Sequence, residues 1–163
     1  METSMIETLE PIGIIHSPYT DIENMPIQPR GAAGIDGTVE VYDPFVEGLT
    51  DLEGFSHIYL LYRFHRVQGT CLMVTPFLDT AKRGVFATRA PQRPNHIGLS
   101  IVRLLDRAGG LLSIRGVDIL DGTPLLDIKP YIEKFDSVKE STSGWMNADG
   151  STVANMRSDG RFT

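Results

Sequence analysis

The sequence predicts an all-β protein, a small single-domain β-barrel with one or two short helices and long loops. Seven or eight short segments of its 163 residues have the two-residue periodicity or the apolar run of a strand. Turn residues separate these segments and helical periodicity is rare, so neither a helical bundle nor an alternating strand-helix fold is indicated. The glycine patterns of dinucleotide-binding and P-loop proteins are absent. We therefore expect a closed or nearly closed antiparallel sheet.

The first half of the chain alternates short strands with loops rich in proline and glycine. Residues 12–15 form an apolar strand that Pro18 ends. Residues 21–37 hold five prolines and glycines, too many for a helix or a central strand. A loop of this length inside a compact domain is usually functional, so an ordered binding loop is expected. A half-buried strand, a short helix with Thr50 as its candidate N-cap, and a central strand follow at residues 38–42, 45–54 and 58–63.

The second half is predicted to consist of strands joined by tight turns. The Gly109-Gly110 pair indicates a hairpin, and Asp-Gly-Thr-Pro at residues 121–124 indicates a turn. Strands are expected at residues 71–74, 85–88, 97–106, 111–119 and 125–131. The barrel domain is predicted to span residues 1–136, with 137–163 as a peripheral tail that docks through Trp145.

The composition predicts a cytoplasmic protein without a membrane segment. Cys71 is the single cysteine, which excludes an intrachain disulfide and favours a reducing compartment. The N-terminus is acidic and lacks the basic and apolar regions of a signal peptide. No apolar run reaches membrane-spanning length.

The net charge of −6 conceals an uneven distribution of charged residues. Residues 60–110 carry eight lysines and arginines against two aspartates, so this segment has a charge of +6 and the rest of the chain −12. Such segregation suits an anionic ligand or a nucleic acid on an acidic protein. In a β-rich fold, half of these cations are equally able to point to the opposite face, which would leave no basic patch.

The densest group of chemically active side chains lies at residues 84–101. Arg89 and Arg93 stand four positions apart in a loop that Pro91 and Pro94 stiffen. Guanidinium groups presented at so little entropic cost suit the binding of a carboxylate or a phosphate. A surface loop whose arginines are merely solvated is the alternative interpretation.

Histidines and a charged pair supply further candidates. The four histidines and the cysteine lack the spacing of a metal site, so no metal is expected at His16, His57, His65, Cys71 or His96. His57 is expected to pack at a strand start, whereas His65 and His96, each flanked by arginine or asparagine at one end of a strand, are functional candidates. Asp127 and Lys129 would share one face of a strand. Either they satisfy each other or a ligand, or they are solvated at an exposed edge.

The motifs in this region resemble those of a known family. Ala-Thr-Arg-Ala-Pro-Gln-Arg-Pro-Asn at 87–95, followed by Ile-Gly-Leu-Ser at 97–100, is one of them. Asp-Gly-Thr-Pro at 121–124 with Asp-Ile-Lys-Pro-Tyr at 127–131 is the other, and together they resemble the TrmO family, also called TsaA-like or YaeB-like. The resemblance runs from about residue 12 to residue 131. The tail is similar to the short form of the family, without the C-terminal extension of longer members.

This resemblance implies an S-adenosylmethionine-dependent methyltransferase that acts on N6 of threonylcarbamoyladenosine at position 37 of tRNA. It also implies a homodimer with the cofactor near the subunit interface. Carried over by motif, cofactor contacts fall on Gln28, Pro29, Arg30, His65, Arg66, Arg89, Leu99, Asp121, Gly122, Thr123 and Pro124. Candidate substrate contacts are Arg93, Asn95, Lys129 and Tyr131, and candidate proton acceptors are Asp127 and His65.

Two residues depart from the family pattern inside the implied cofactor site. Arg30 stands where a glycine commonly follows Gln-Pro, and Arg66 where a glutamine is often seen. Two other functions stay open beside the tRNA methyltransferase. One is an S-adenosylmethionine-dependent methyltransferase with a different substrate, and the other is a non-catalytic barrel that binds S-adenosylmethionine or an adenine nucleotide.

Overall fold

A computed structural model gives the structure of the chain and describes residues 8–23, 25, 32–77 and 79–146. Within these residues the strands are β1 (Gly13–His16), β2 (Asp36–Val41), β3 (His57–Arg63), β4 (Met73–Val74), β5 (Arg83–Gly84), β6 (Ile97–Ala108), β7 (Leu111–Arg115) and β8 (Thr123–Pro130). Six of them close into a barrel in the order β1-β2-β7-β6-β3-β8, and β4 and β5 pair as a separate sheet. All pairings are antiparallel. The predicted all-β barrel is confirmed.

The barrel forms because its strands alternate apolar residues that face inward with residues that face outward. In β3, Ile58, Leu60 and Tyr62 are buried while His57 and Tyr59 are half-buried on the outer surface. The inward side chains of the six strands meet in one continuous core. A small second cluster under β4 and β5 is built from Val74, Val85 and Ala90.

The predicted hairpin between β6 and β7 is present, with Ala108 paired to Leu111. Gly109 has φ +60, a conformation that favours glycine at a two-residue turn. The register of β6 against β7 shifts between Leu104 and Asp106, which places an irregularity in this hairpin.

Several predicted local structures are wrong. The single helix predicted at 45–54 is instead two 3-10 helices, Asp43–Leu49 and Leu52–Gly54, and Thr50 follows the first of them rather than capping a helix. The strand predicted at 85–88 is a 3-10 helix, Val85–Ala87, held by a hydrogen bond from Thr88 Oγ1 to Val85 O. The strand at 71–74 shortens to β4, and that at 111–119 ends with β7 at Arg115.

We call the two ends of the barrel the loop end and the hairpin end. At the loop end β1 and β3 finish and β6 and β8 begin, so the segments 17–35, 64–96 and 116–122 all leave from it. The hairpin end carries the β6–β7 turn and the start of α1 (Glu133–Asp136) after β8. The tail then reaches Ala87, whose carbonyl oxygen accepts a hydrogen bond from Trp145 Nε1 (2.8 Å). Trp145 therefore docks the described part of the tail, as predicted.

Candidate functional site

The Asp121–Pro124 turn at the loop end is fixed by the segment that follows β1. Asp121 N donates to Tyr19 O (2.7 Å), and Asp121 Oδ1 accepts from Ser17 N (3.0 Å). Gly122 N donates to Ile15 O (2.9 Å), and Gly122 has φ +79 with no atom within 4 Å of an added Cβ. The turn is thus rigid, and open space lies beside its glycine.

Arg66 lies against the same segment, and His65 precedes it at the end of β3. Arg66 Nη1 donates to Thr20 O (2.8 Å), which brings the end of β3 next to the loop after β1. Desolvation of the imidazole, followed by the neighbouring Arg66 charge, lowers the pKa of His65 below its usual value. His65 is therefore neutral at pH 7 and has a ring nitrogen able to accept a proton.

The segment that carries Arg89 and Arg93 is stabilised by hydrogen bonds from Arg93 to its own carbonyl groups. Arg93 Nη1 donates to Thr88 O (3.0 Å) and Ala90 O (3.1 Å), so part of this guanidinium holds the loop together. Ala90 is buried in the small cluster under β4 and β5. Arg89 is exposed and lies between Thr88 and Ala90, which are joined by a hydrogen bond from Ala90 N to Thr88 Oγ1. The role of Arg93 as a substrate contact stays a prediction.

The 64–71 and 91–96 loops are joined at the loop end. His96 Nε2 lies 2.7 Å from Gly69 O, and Cys71 N donates to Gln92 O (3.0 Å). His96 adopts φ +51, which is uncommon for a residue other than glycine. Asn95 is exposed beside it. This His96 contact has a structural role, and the proposed role of Asn95 stays a prediction.

A polar network that links β3, β6 and the segment after β7 was not predicted from the sequence. Tyr62 OH lies 2.9 Å from Ser100 Oγ, and Ser100 Oγ donates to Asp118 Oδ1 (2.7 Å). Burial raises the pKa of Asp118 to about 6, although the Ser100 hydrogen bond and the Arg89 charge lower it. The available signal was an acid inside the apolar run Val-Asp-Ile-Leu at 117–120.

The remaining predicted residues lie on the outer face of β6, β3 and β8. The register places Leu99, Leu61 and Asp127 in one row across the strands. Lys129 Nζ lies 3.3 Å from Asp127 Oδ2, and both side chains are largely solvated. The two residues therefore share a face and pair with each other, on a strand that is not an edge.

Tyr131 lies just beyond β8 at the hairpin end. Its ring meets that of Tyr59 edge-on at 5.8 Å, and Tyr131 N donates to His57 O (3.0 Å). From Thr123 to Tyr131 the chain runs along β8 for eight residues, which is about 26 Å of strand. Within one chain, the Asp121–Pro124 turn and Tyr131 are therefore not brought together.

The predicted basic segment is divided by the fold. Arg66, Arg89 and Arg93 lie in the segment between β3 and β6, which leaves from the loop end, whereas Arg107 lies near the end of β6, paired with Glu53. Arg83 pairs with Asp79 beside β5. A basic patch at the loop end therefore contains fewer cations than the eight lysines and arginines counted in residues 60–110.

Three of the predicted cofactor contacts lie outside the part of the chain that the structure describes. Gln28, Pro29 and Arg30 are outside the described residues. Among the described residues, no group of three or more histidines, cysteines and carboxylates is arranged to hold a metal ion. The same part of the chain has no helix long and apolar enough to cross a membrane.

Fold and site together define an antiparallel β-barrel with arginines, a rigid Asp-Gly-Thr-Pro turn and a half-buried acid at one end. The sequence model of the tRNA-methyltransferase O N-terminal domain matches residues 14–137, and the chain belongs to this family.

Relatives and solved structures agree with this assignment. A "Probable S-adenosyl-L-methionine-binding protein" of Pyrococcus abyssi is 55% identical over 152 residues, which cover 93% of this chain and 83% of that protein. The tRNA (adenine(37)-N6)-methyltransferase of Homo sapiens is 37% identical, and the match covers 84% of this chain but 32% of the human protein. The crystal structure of TrmO from Pseudomonas aeruginosa superposes with a TM-score of 0.74 at 41% identity, covering 88% of this chain and 64% of that one. The chain thus spans about a third of the human relative and just under two thirds of the solved TrmO chain.

Proposed function

We propose that this protein is an S-adenosylmethionine-dependent methyltransferase that methylates N6 of threonylcarbamoyladenosine at position 37 of tRNA. The observation that carries the proposal is the family match over residues 14–137, which includes every motif gathered at the loop end. The human and mouse relatives named for methylation of adenine 37 support tRNA as the substrate. The assignment of threonylcarbamoyladenosine, rather than another adenosine, as the target is based on the sequence resemblance described above.

The donor set at the loop end fits the cofactor. Arg66 and Arg89 offer guanidinium groups for its carboxylate, and Asp121 offers acceptors for hydroxyl or ammonium groups. The open space beside Gly122 allows close approach of a ligand to the backbone. We assign the same role to the other residues implied by the family motifs, namely Gln28, Pro29, Arg30, His65, Leu99, Thr123 and Pro124.

The bound cofactor supplies a methyl group activated by a positively charged sulfur. The protein then has to orient the target nitrogen, exclude competing nucleophiles and accept the proton that N6 loses. His65 is suited to accept this proton because its lowered pKa keeps it neutral. Asp127 is the second candidate, and its Oδ2 lies 3.3 Å from Lys129 Nζ.

The outer face of β6, β3 and β8 is proposed to contact tRNA. Tyr59 and Tyr131 offer aromatic edges and faces for an unstacked base, and Lys129 offers a cation for the backbone. Arg93 and Asn95 would add contacts from the loop end. Because few cations contact the tRNA backbone, the affinity for tRNA should fall only modestly as the salt concentration rises.

We further propose that the protein works as a homodimer in the cytoplasm. The turn at Asp121–Pro124 and Tyr131 lie at opposite ends of β8, so one site that contains both needs a second copy of the chain. Leu72, Met73 and Phe86 are each more than half exposed beside β4 and β5, and Leu99 is 50% exposed on the outer face. Such side chains suit burial against another copy.

The experiment is methyl transfer from labelled S-adenosylmethionine to tRNA that carries threonylcarbamoyladenosine, with tRNA lacking this modification as the comparison. We expect incorporation only into the modified tRNA, loss of activity in Arg89→Ala, and nearly full activity in Arg107→Ala. Arg107 is the matched control because it pairs with Glu53 near the hairpin end. Incorporation into neither tRNA, although the cofactor binds, would refute the assigned reaction.

A second candidate is cofactor binding coupled to another acceptor or to no reaction. The 55% identical relative favours it, because its name extends only to S-adenosyl-L-methionine binding. Calorimetric titration with S-adenosylmethionine measures cofactor binding separately from methyl transfer. Binding at about one site per chain without transfer to any tRNA would select this second candidate.

A further inference from the structure

His16 is the last residue of β1 at the loop end, and the proposed reaction gives it no role. Its two ring nitrogens face two carboxylates: Nε2 lies 3.1 Å from Glu40 Oε2, and Nδ1 lies 3.5 Å from Asp121 Oδ1. Glu40 belongs to β2, whereas Asp121 belongs to the turn that we assign to the cofactor. The imidazole of His16 therefore bridges the barrel wall and the candidate cofactor site.

The backbone around this bridge is fixed by strand pairing. Ile15 pairs with Thr123 across β1 and β8, which brings the turn beside His16. His16 itself pairs with Thr38 across β1 and β2. Glu40 stands two residues beyond Thr38, so it shares a face with Thr38 and lies diagonally across from His16. The contact between Glu40 and His16 thus follows from the strand register.

The two carboxylate oxygens of Asp121 are used unequally. Oδ1 accepts a hydrogen bond from Ser17 N (3.0 Å) and also faces His16 Nδ1. Within the described part of the chain, the contacts of this carboxylate all fall on Oδ1, which leaves Oδ2 for a ligand. A carboxylate held at one oxygen from two sides loses rotational freedom before the ligand arrives, so less entropy is lost on binding.

The exposure of the pair separates orientation from stability. The side chains of His16 and Asp121 are 42% and 41% exposed, and an ion pair exposed to this degree contributes little to folding. Substitution of His16 should therefore leave the barrel folded. The consequence of the contact is the direction in which the Asp121 carboxylate points.

We propose that His16 is a positioning residue that holds Asp121 Oδ1 and thereby orients Oδ2 toward a hydroxyl or ammonium group of the ligand. Glu40 fixes the ring through Nε2, and a ring with a proton on each nitrogen donates to both carboxylates. This inference rests on the proposed function for the identity of the ligand, S-adenosylmethionine.

The first test needs no ligand. The ¹⁵N resonances of the His16 ring are measured by NMR in the wild type, Asp121→Asn and Glu40→Gln, and are assigned by their absence from His16→Gln. We expect Asp121→Asn to shift the Nδ1 resonance and Glu40→Gln the Nε2 resonance, because each nitrogen loses its own charged neighbour. The control Asp106→Asn changes an exposed carboxylate on β6 and should leave both resonances unchanged. An Nδ1 resonance that Asp121→Asn does not move would overturn the proposal whatever the protein binds.

The second test is calorimetric titration of two matched variants with S-adenosylmethionine. In His16→Asn the amide nitrogen stands as many bonds from Cβ as Nδ1 does, so the donor to Asp121 is kept and the donor to Glu40 is lost. In His16→Gln the amide nitrogen takes the place of Nε2, so the contact with Asp121 is lost instead. We expect His16→Asn to stay within about twofold of the wild-type affinity and His16→Gln to lose about three- to tenfold, the size of one hydrogen bond. The control His57→Gln changes a half-buried histidine at the start of β3 and should follow the wild type.

The outcomes separate the two proposals. Equal affinities of His16→Asn and His16→Gln, or the reverse order, overturn the positioning role and leave the proposed function standing. A wild type that does not bind the cofactor refutes the proposed function, and the ring resonances then decide alone whether His16 holds Asp121. A purely structural His16 would lower the melting temperatures of both variants without separating their affinities, which also contradicts the proposal.

Discussion

Gly98 is the position where one added methyl group tests the packing of the loop end most directly. A Cβ at Gly98 would lie 2.3 Å from Cε2 and 2.5 Å from Cζ of the Tyr62 ring. Carbon atoms pack at about 3.5–4.0 Å, so the ring has to move by about 1 Å. Tyr62 is only 6% exposed, and its hydroxyl lies 2.9 Å from Ser100 Oγ. The movement therefore strains the core and weakens the network that ends at Asp118.

The expected cost of Gly98→Ala has two parts. Overpacking of a filled core costs about 1–3 kcal/mol, and loss of a buried hydrogen bond costs about 1 kcal/mol more. The free energy of unfolding should thus fall by about 2–4 kcal/mol. In a domain of this size that corresponds to a melting temperature lower by about 5–15 °C.

The assay is urea denaturation of the variant beside Gly84→Ala. No atom lies within 4 Å of a Cβ at Gly84, so this control should stay within about 0.5 kcal/mol of the wild type. The double variant Gly98→Ala with Tyr62→Val should lose less than the sum of its single changes, because valine vacates the space of the ring. A Gly98→Ala protein as stable as the control would show that Tyr62 does not pack against Gly98 as described.

Three further predictions follow from burial, docking and charge. Leu125 is fully buried in the core, so Leu125→Ala should lower the free energy of unfolding by about 2–5 kcal/mol in the same denaturation assay. Leu105 is 40% exposed, so the control Leu105→Ala should cost under about 1 kcal/mol. Trp145→Phe removes the hydrogen bond to Ala87 O, so limited proteolysis should cut the tail faster while the barrel melts within a few degrees of the wild type. Asp118→Asn should raise the stability at pH 8 by up to about 3 kcal/mol, because the pKa rises from 3.8 to about 6 on folding. Folding favours the protonated form of Asp118, so the wild type is as stable as Asp118→Asn below about pH 4 and becomes less stable than the variant as the pH rises through 6. Stability curves of the two proteins that do not converge at low pH would contradict this prediction.

The sequence predicted the strands well where alternation and turn chemistry agreed. The outward and inward residues of β3 and the Gly109-Gly110 hairpin could be read directly, because side-chain periodicity and positive φ are local properties. The helix predicted at 45–54 was wrong for an instructive reason. Val46, Leu49 and Leu52 stand three apart, which matches the three residues per turn of a 3-10 helix as well as one face of an α-helix.

The candidate site was predicted only as separate motifs. Local spacing correctly suggested that Asp127 and Lys129 share a face. It gave no information that Leu99 stands in the same row as Asp127, since that depends on the register of β6 and β8 against β3. It also gave no sign that Tyr131 and the Asp121–Pro124 turn lie at opposite ends of one strand.

The sequence alone thus determined an all-β chain and its family motifs, because periodicity, turn residues and motif identity are encoded by neighbours along the chain. Only the tertiary structure decided that the barrel closes, which residues share the loop end and how deeply each is buried. The network of Tyr62, Ser100 and Asp118 joins residues up to 56 positions apart in the sequence. Its carboxylate acquires a raised pKa only through burial by distant segments, a quantity that no local pattern contains.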